Sequence, residues 1–441
     1  MILHRTLCLF VVFSVLVLGA TTMAGNAQPA DSAAVPVIVL FRSGVDSAQR
    51  EQVLKHVGAQ STRHFVNVPA SVARANAQNQ ALLRNHPDVI SVVPDRPVQI
   101  LGKPAGGGTS TTTAQVVPAG VARIDASPGT LAFTGKDVGV AVVDTGIDFN
   151  HADLVVSAVC YTGYTACQDD EGHGTHVGGI IAAKNNSIDV VGVAPDAVLY
   201  AVKVLDKTGS GTDSAVMAGL DWVGSHAASV SPRIRVVNMS LGRPGTLDDN
   251  PALRASVQFL YNAGIVVVVA AGNDASTDVS QQVPATYPEV LAIASTTAAN
   301  GTSACRLHLS AVTADTASYF TTDGAYNGLT GIGVTVSAPG EDNETINKSC
   351  FLGSVGILST RLGGGTTRMS GTSMAAPHVT GVAALMVEKA NGQAASLTPE
   401  DVRSRLRLTV SSPGIAPLDS PASGYSFDGE REGVVSAAGA L

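Results

Sequence analysis

Residues Ile265 to Ala271 read IVVVVAA, an apolar run with no alternation. A strand with one face in water alternates polar and apolar side chains, so a run that is apolar throughout belongs to a strand covered on both faces, as in a parallel sheet flanked by helices. The neighbouring segments keep the same order. Strands are expected at Val138 to Val143, Leu199 to Val204, Val236 to Met239 and Ile265 to Ala270, with helices at Thr212 to Ala227 and Pro251 to Ala263 between them. This α/β alternation predicts a doubly wound, mostly parallel sheet, with its site beyond the carboxyl ends of the strands.

At 441 residues, 45% hydrophobic and 14% charged, the chain can bury a large core and is not expected to be disordered. A net charge of -8 with no Lys/Arg run leaves no basic surface for nucleic acid. The apolar run Leu7 to Leu18 follows Arg5, is too short to span a bilayer and leads into small residues. Residues 1–27 therefore read as a secretory signal peptide, cleaved after Ala24 or Ala27, and no membrane attachment is expected once it is removed. Export places Cys160, Cys167, Cys305 and Cys350 where disulfides persist. Four cysteines allow three pairings, and the six-residue loop between Cys160 and Cys167 is short enough for a local bridge.

Ahead of the sheet, strands at Val35 to Phe41, Ser61 to Val68 and Val89 to Val93 and helices at Asp46 to Val57 and Ala75 to Arg84 form a small α+β unit, residues 28–101. It lacks a catalytic cluster. Residues 102–113 contain KPAGGGTSTTT, a flexible linker by its Gly and Thr content, and residues 114–441 form the large domain.

Four motifs in that domain carry chemistry. VGVAVVD ends an apolar strand on Asp144, and GHGTHVGG puts His173 and His176 just ahead of an apolar helix. The histidines lie three apart, with no HExxH glutamate and no cysteine pair, so a general base fits better than a metal. GTSMAAPHVTG places Ser373 at a helix start, beside free N–H groups and the positive end of the helix dipole. Pro377 is tolerable only in a first turn, so the helix should begin at Thr372 or Ser373. AAGN adds Asn273 after the apolar strand. Together they supply a nucleophile (Ser373), a base (His173), a carboxylate to orient it (Asp144) and an oxyanion donor (Asn273).

DTGID at Asp144, HGTHV at His173, SLG at Ser240, AAGN at Asn273 and GTSMAAPHVTG at Ser373 resemble the subtilisin-like serine peptidases of the S8 family, over most of residues 114–410. The resemblance implies a secreted endopeptidase acting on proteins and peptides, a monomer, with His173 the catalytic histidine and His176 structural. It implies that Ser210 and Gly211 on one side, and Ser240, Leu241 and Gly242 on the other, bind a substrate main chain as an added strand. Arg243 stands where the family keeps a small residue, Gln282 is expected near the base of the primary pocket, and Val283-Pro284 is expected to be cis. It also implies one structural calcium, held by the side chains of Gln115, Asp153 and Asn186 and the carbonyls of Lys184, Ile188 and Val190. Cys305 and Cys350 each fall in an insertion relative to shorter members, which pairs them, and by elimination of neither alternative, cross-pairings with Cys160 and Cys167 stay open.

The leading unit resembles the I9-type, ferredoxin-like prodomains of these enzymes, with HPDVISVVPDRPV the best-matching stretch. It is therefore expected to inhibit and to assist folding of a sheet whose contacts are distant in sequence, with Val98 to Leu101 in the active site and cleavage after Leu101. A pseudopeptidase would have lost one of the four site residues, and an α/β-hydrolase esterase would need a GxSxG elbow with its acid after the serine. Neither pattern is present.

Overall fold

The computed structural model describes residues 33–104, 114–411 and 432–441. The expected signal peptide and most of the linker lie outside them. The leading unit runs β1 (Val35–Phe41), α1 (Ser47–His56), β2 (Gln60–His64), β3 (Ala70–Ala75), α2 (Ala77–Arg84) and β4 (Val89–Pro94). Its sheet has the order β2-β3-β1-β4, with every pair antiparallel. Alternation along β1 separates its two faces. Val37, Val39 and Phe41 pack with Val53, Leu54 and Leu83 of the unit's own helices, whereas Ile38 and Leu40 join the core of the large domain. The strand expected at Ser61 to Val68 ends at His64, and β3 was not foreseen. ASVARA has little intrinsic strand preference, but it is paired on both edges, and that pairing outweighs propensity.

Two short strands follow, β5 (Pro97–Ile100) and β6 (Lys103–Pro104). The large domain then contains α3 (Ala119–Arg123), β7 (Gly139–Asp144), β8 (Tyr161–Thr162), α4 (His173–Ala182), β9 (Val198–Lys203), β10 (Ser210–Thr212), α5 (Asp213–His226), β11 (Ile234–Met239), β12 (Leu241–Pro244), α6 (Pro251–Asn262), β13 (Val266–Ala270), β14 (Gln282–Val283), β15 (Leu291–Thr297) and β16 (Val334–Glu341). The hairpin β17 (Asn343–Ile346) and β18 (Leu352–Val355), strands β19 (Ile357–Thr360) and β20 (Thr366–Ser370), and helices α7 (Thr372–Gly392), α8 (Pro399–Leu408) and α9 (Ala437–Ala440) complete it.

Seven strands make the main sheet, in the order β16-β15-β13-β11-β7-β9-β8, all pairs parallel. Its two faces are read off β7. Val140 and Val142 pack toward α4 and α7, and Ala141 and Val143 toward α5 and α6. Every residue of β13 is buried, as its unbroken apolar run requires. Strands β15 and β16 escaped the sequence reading because hydroxyls replace apolar side chains. Ser295, Thr296 and Thr297 are buried, with Ser295 Oγ 2.7 Å from Ser318 Oγ and Thr297 Oγ1 donating to Thr313 O at 3.0 Å.

Cys160 pairs with Cys167 and Cys305 with Cys350, the second bridge tying the β17–β18 hairpin to the loop after β15. Val283-Pro284 is cis, as is Ser231-Pro232.

Candidate active site

The site assembles at the carboxyl ends of the parallel strands. Asp144 is the last residue of β7 and is fully buried. Its carboxylate accepts the Thr145 N–H at 2.7 Å and faces His173 Nδ1 at 2.8 and 3.0 Å. That contact assigns the imidazole proton to Nδ1 and leaves Nε2 free to accept. Burial opposes a charged imidazole, but the Asp144 charge and hydrogen bond outweigh it, so the His173 pKa lies above the ordinary value.

His173 opens α4, and Gly172 turns the chain into the helix at φ 112°, a conformation that disfavours any side chain. Asp169 holds this helix start. It accepts the N–H groups of Glu171 and Gly172 at 3.0 and 2.9 Å and that of Thr175 at 2.9 Å. Thr145 joins the two elements, donating to Asp169 at 2.9 Å and accepting the Gly174 N–H at 2.9 Å. The sequence reading missed both residues, although an acidic run ending at Glu171 just ahead of a helix is a capping signal.

Ser373 sits in the first turn of α7, on the opposite side of the cleft. Its hydroxyl donates to Ser240 O at 2.9 Å, while His173 Nε2 is buried without a hydrogen-bond partner. The chain at residues 101–102 passes between them. Leu101 O accepts hydrogen bonds from Asn273 Nδ2 and, at 3.3 Å, from the Ser373 N–H. The orientation of Asn273 follows from its other end. Its Oδ1 accepts both the Thr372 N–H and hydroxyl at 2.9 Å, so the amide nitrogen must face the cleft. Glycine is required on both sides: a Cβ on Gly102 would lie 2.7 Å from His173 Nε2, and one on Gly371 would collide with Leu101 O.

Pro377 is the sixth residue of α7, beyond the first turn to which sequence reasoning confined it. Proline cannot donate to the carbonyl four residues back, which here is that of Ser373. The Ser240 hydroxyl donates to that carbonyl instead, at 2.9 Å, and is itself held by Asn238 Nδ2 at 2.9 Å, with Thr380 donating to Asn238 Oδ1 at 2.8 Å. All four of these residues are buried. A polar Asn in the strand IRVVNM is thereby accounted for.

β5 lies between β10 and β12, antiparallel to both. Gln99 pairs with Ser210 and Gly242, Val98 with Gly211, and Ile100 with Leu241. Gly209 O and Ser240 O accept the N–H groups of Ile100 and Leu101 at 3.0 and 3.3 Å, and the Gly209 contact was not foreseen. Beyond Gly102, Lys103 pairs with Ser370 of β20. Gln282 lines the hollow beside Leu101, together with Gly242 and Asn273. Arg243 borders the same hollow, but its guanidinium is engaged: it is buried, with Nε and Nη2 on Asp213 at 2.9 and 2.6 Å and Nη1 on Asp249 at 2.6 Å. His176 is also buried, bonded through Nε2 to Ile357 O at 3.0 Å, and burial pushes its pKa down to about 3.

Gln115, Asp153, Lys184, Asn186, Ile188 and Val190 converge away from the cleft. Lys184 O, Val190 O and Asn186 Oδ1 lie 2.7, 3.2 and 3.4 Å from the Gln115 amide nitrogen. Asn186 Nδ2 and the Val190 N–H reach the buried Asp153 carboxylate at 2.7 and 3.2 Å, and Ile188 is tied in by its N–H to Asn186 Oδ1 at 2.8 Å. Three oxygens focused on one donor, with a buried carboxylate beside them, form a hard-oxygen set suited to calcium. Among the described residues no cluster of three or more His, Cys, Asp or Glu could hold a metal, so carbonyl and amide oxygens would carry such a site.

These features meet in one family. A model described as the Subtilase family, peptidase S8, matches residues 135–432, and the chain belongs to that family. Among relatives, subtilisin NAT of Bacillus subtilis subsp. natto is 34% identical over 411 residues, covering 91% of this chain and 92% of its own length. A subtilisin of Bacillus pumilus is 38% identical over 303 residues, 67% of this chain and 92% of its own. Among solved structures, fervidolysin from Fervidobacterium pennivorans, described as a keratinolytic enzyme related to subtilisin, superposes with a TM-score of 0.66. It is 22% identical, over 95% of this chain and 62% of that longer one, a likeness of fold.

Proposed function

We propose that this subtilisin-family serine peptidase is a secreted endopeptidase made as a precursor, and that its first substrate is its own Leu101–Gly102 bond. The observation that carries this reading is the Leu101 carbonyl oxygen, held by Asn273 Nδ2 and the Ser373 N–H while Gly102 lies against His173 Nε2. A carbonyl bonded to two donors is where charge develops during acyl transfer.

Ser373 Oγ attacks the Leu101 carbonyl carbon, and its proton passes to His173 Nε2. Asp144 holds the other ring nitrogen and stabilises the imidazolium that forms. The C–N bond then breaks, the proton goes to the Gly102 amine, and an ester joins Leu101 to Ser373. Water, deprotonated by His173, hydrolyses the ester and restores the hydroxyl. Before attack, the Ser373 hydroxyl must turn from Ser240 O to His173.

Residues 28–101 act as an inhibitor until released, and residues 102–113 as the segment trimmed afterwards. The cleft binds peptides through the main chain of Ser210, Gly211, Ser240, Leu241 and Gly242. Calcium at Gln115, Asp153, Lys184, Asn186, Ile188 and Val190 would supply ionic cross-linking of the surface and no reaction chemistry. Among the described residues no helix is long and apolar enough to cross a membrane. A monomer is proposed.

The test is N-terminal sequencing of the product from the wild type and from Ser373→Ala, expressed in calcium, with a fluorophosphonate probe on both. Wild type beginning between Gly102 and Ala114 and labelled, with the variant untrimmed at that site and unlabelled, is the expected result. Equal trimming of both with no labelling of either would assign processing to another enzyme.

A further inference from the structure

The peptide ladder continues beyond β5. Pro97 pairs with Thr212, and the Asp213 N–H donates to Arg96 O at 2.9 Å, so the main chain is still docked at Arg96. With cleavage after Leu101, Arg96 is the sixth residue on the amino side of the scissile bond. Its guanidinium reaches Asp249 Oδ2 at 2.7 Å.

Asp249 belongs to a small charge cluster with an uneven count. Asp213 is buried and takes two bonds from Arg243 and one from Asn250 Nδ2 at 2.9 Å. Arg243 also bonds Asp249 at 2.6 Å. Two carboxylates thus share one guanidinium, which leaves one net negative charge on the cleft side. Asp249 is the member that reaches the surface, its side chain 15% exposed against 5% for Arg243 and 0% for Asp213. Arg96 supplies the missing positive charge.

When residues 28–101 leave, Asp249 loses Arg96 but keeps Arg243, and the negative charge is uncovered. We infer that Asp249 forms a subsite for a basic side chain at the sixth position before the cleaved bond, so that the enzyme favours peptides carrying Arg or Lys there. This rests on the proposed reading of the cleft. The bidentate Arg243–Asp213 pair is the fixed part of the device, and the Asp249–Arg243 contact holds the Asp249 carboxylate facing the peptide.

The experiment uses the mature secreted enzyme and synthetic peptides spanning residues 96–104, with Arg, Lys, Gln or Glu in place of Arg96, plus a shorter peptide starting at Val98. Expected kcat/KM is highest for Arg and Lys and lowest for Glu, with a spread of about five- to tenfold carried mainly in KM. The spread should shrink in about 1 M salt, where the screening length falls to about 3 Å. In Asp249→Asn the ratio of Arg to Glu peptides should fall toward one. If that variant does not fold, the wild-type series and its salt dependence still decide the matter. Equal cleavage of all four longer peptides would overturn the subsite while leaving the peptidase reading intact. No cleavage of any peptide, the short one included, would instead sink the peptidase reading on which the subsite rests.

Discussion

At the scale of single residues, Ser240 grips Ser373 twice. Its main-chain oxygen accepts the Ser373 hydroxyl, and its own hydroxyl fills the bond that Pro377 cannot make to the Ser373 carbonyl. Removing that hydroxyl leaves a buried carbonyl unpaired, a cost of about 1–3 kcal/mol that falls on the turn holding Ser373, the proposed nucleophile, and its N–H. Ser240→Ala is expected to lower kcat about tenfold or more with little change in KM. The discriminating variant is Ser240→Ala combined with Pro377→Ala, which returns a backbone N–H to the same carbonyl. Steady-state kinetics should show the double variant regaining much of the loss. Equal loss in single and double variants would show that the hydroxyl acts some other way.

Among the elements, the β17–β18 hairpin brings an unusual pair into the core. Glu341, at the end of β16, is fully buried beside Glu344; Glu344, on β17, is buried and accepts the Tyr319 N–H at 2.8 Å. Burial, and for Glu341 also the charge of Glu344, raises both pKa values above the ordinary 4.5. The folded protein therefore holds these protons more tightly than the unfolded chain does. The stability they contribute is full below 4.5 and drains away as pH rises through the raised values, at up to about 1.4 kcal/mol per pH unit for each proton released on unfolding. Thermal melts across that range should show this slope, and Glu341→Gln should flatten it. An unchanged slope in the variant would rule the pair out as its source.

On the scale of the whole molecule, the leading unit is held by its sheet face as well as by its tail. Ile38, Leu40, Phe65 and Val72 share a core with Val216 and Leu220 of α5 and Leu253 and Val257 of α6. Asp221 on α5 accepts the Val66 N–H at 3.0 and 3.1 Å and the Asn67 N–H at 2.7 Å. Bonds to a charged acceptor contribute about 1.5–3 kcal/mol each. If the unit is the proposed inhibitor, Asp221→Ala should loosen it by about tenfold or more and shorten the lag between self-cleavage and the appearance of peptidase activity. A lag equal to that of the wild type would mean that the apolar face and the cleft strand hold the unit without this anchor.

What the amino-acid order alone determined is what can be read in a short window. The unbroken IVVVVAA run demanded a strand covered on both faces, the apolar strand ending on Asp144 put a carboxylate at a strand's carboxyl end, and the turn at Gly371 placed Ser373 at a helix start. Tertiary structure decided whatever joins distant positions. The hydroxyl-rich strands β15 and β16 became legible only with the loops that bond them, and β3 only with its neighbours on both sides. Arg243, a charge at an expected substrate wall, turned out to be paired with Asp213 and Asp249, and Asp169 and Thr145 emerged as the tie between β7 and α4. Pro377 could enter the second turn because Ser240, far away in sequence, replaces its missing donor. Periodicity and capping act among neighbours along the chain, whereas compensation of a buried charge or an orphaned carbonyl depends on which segments folding brings together.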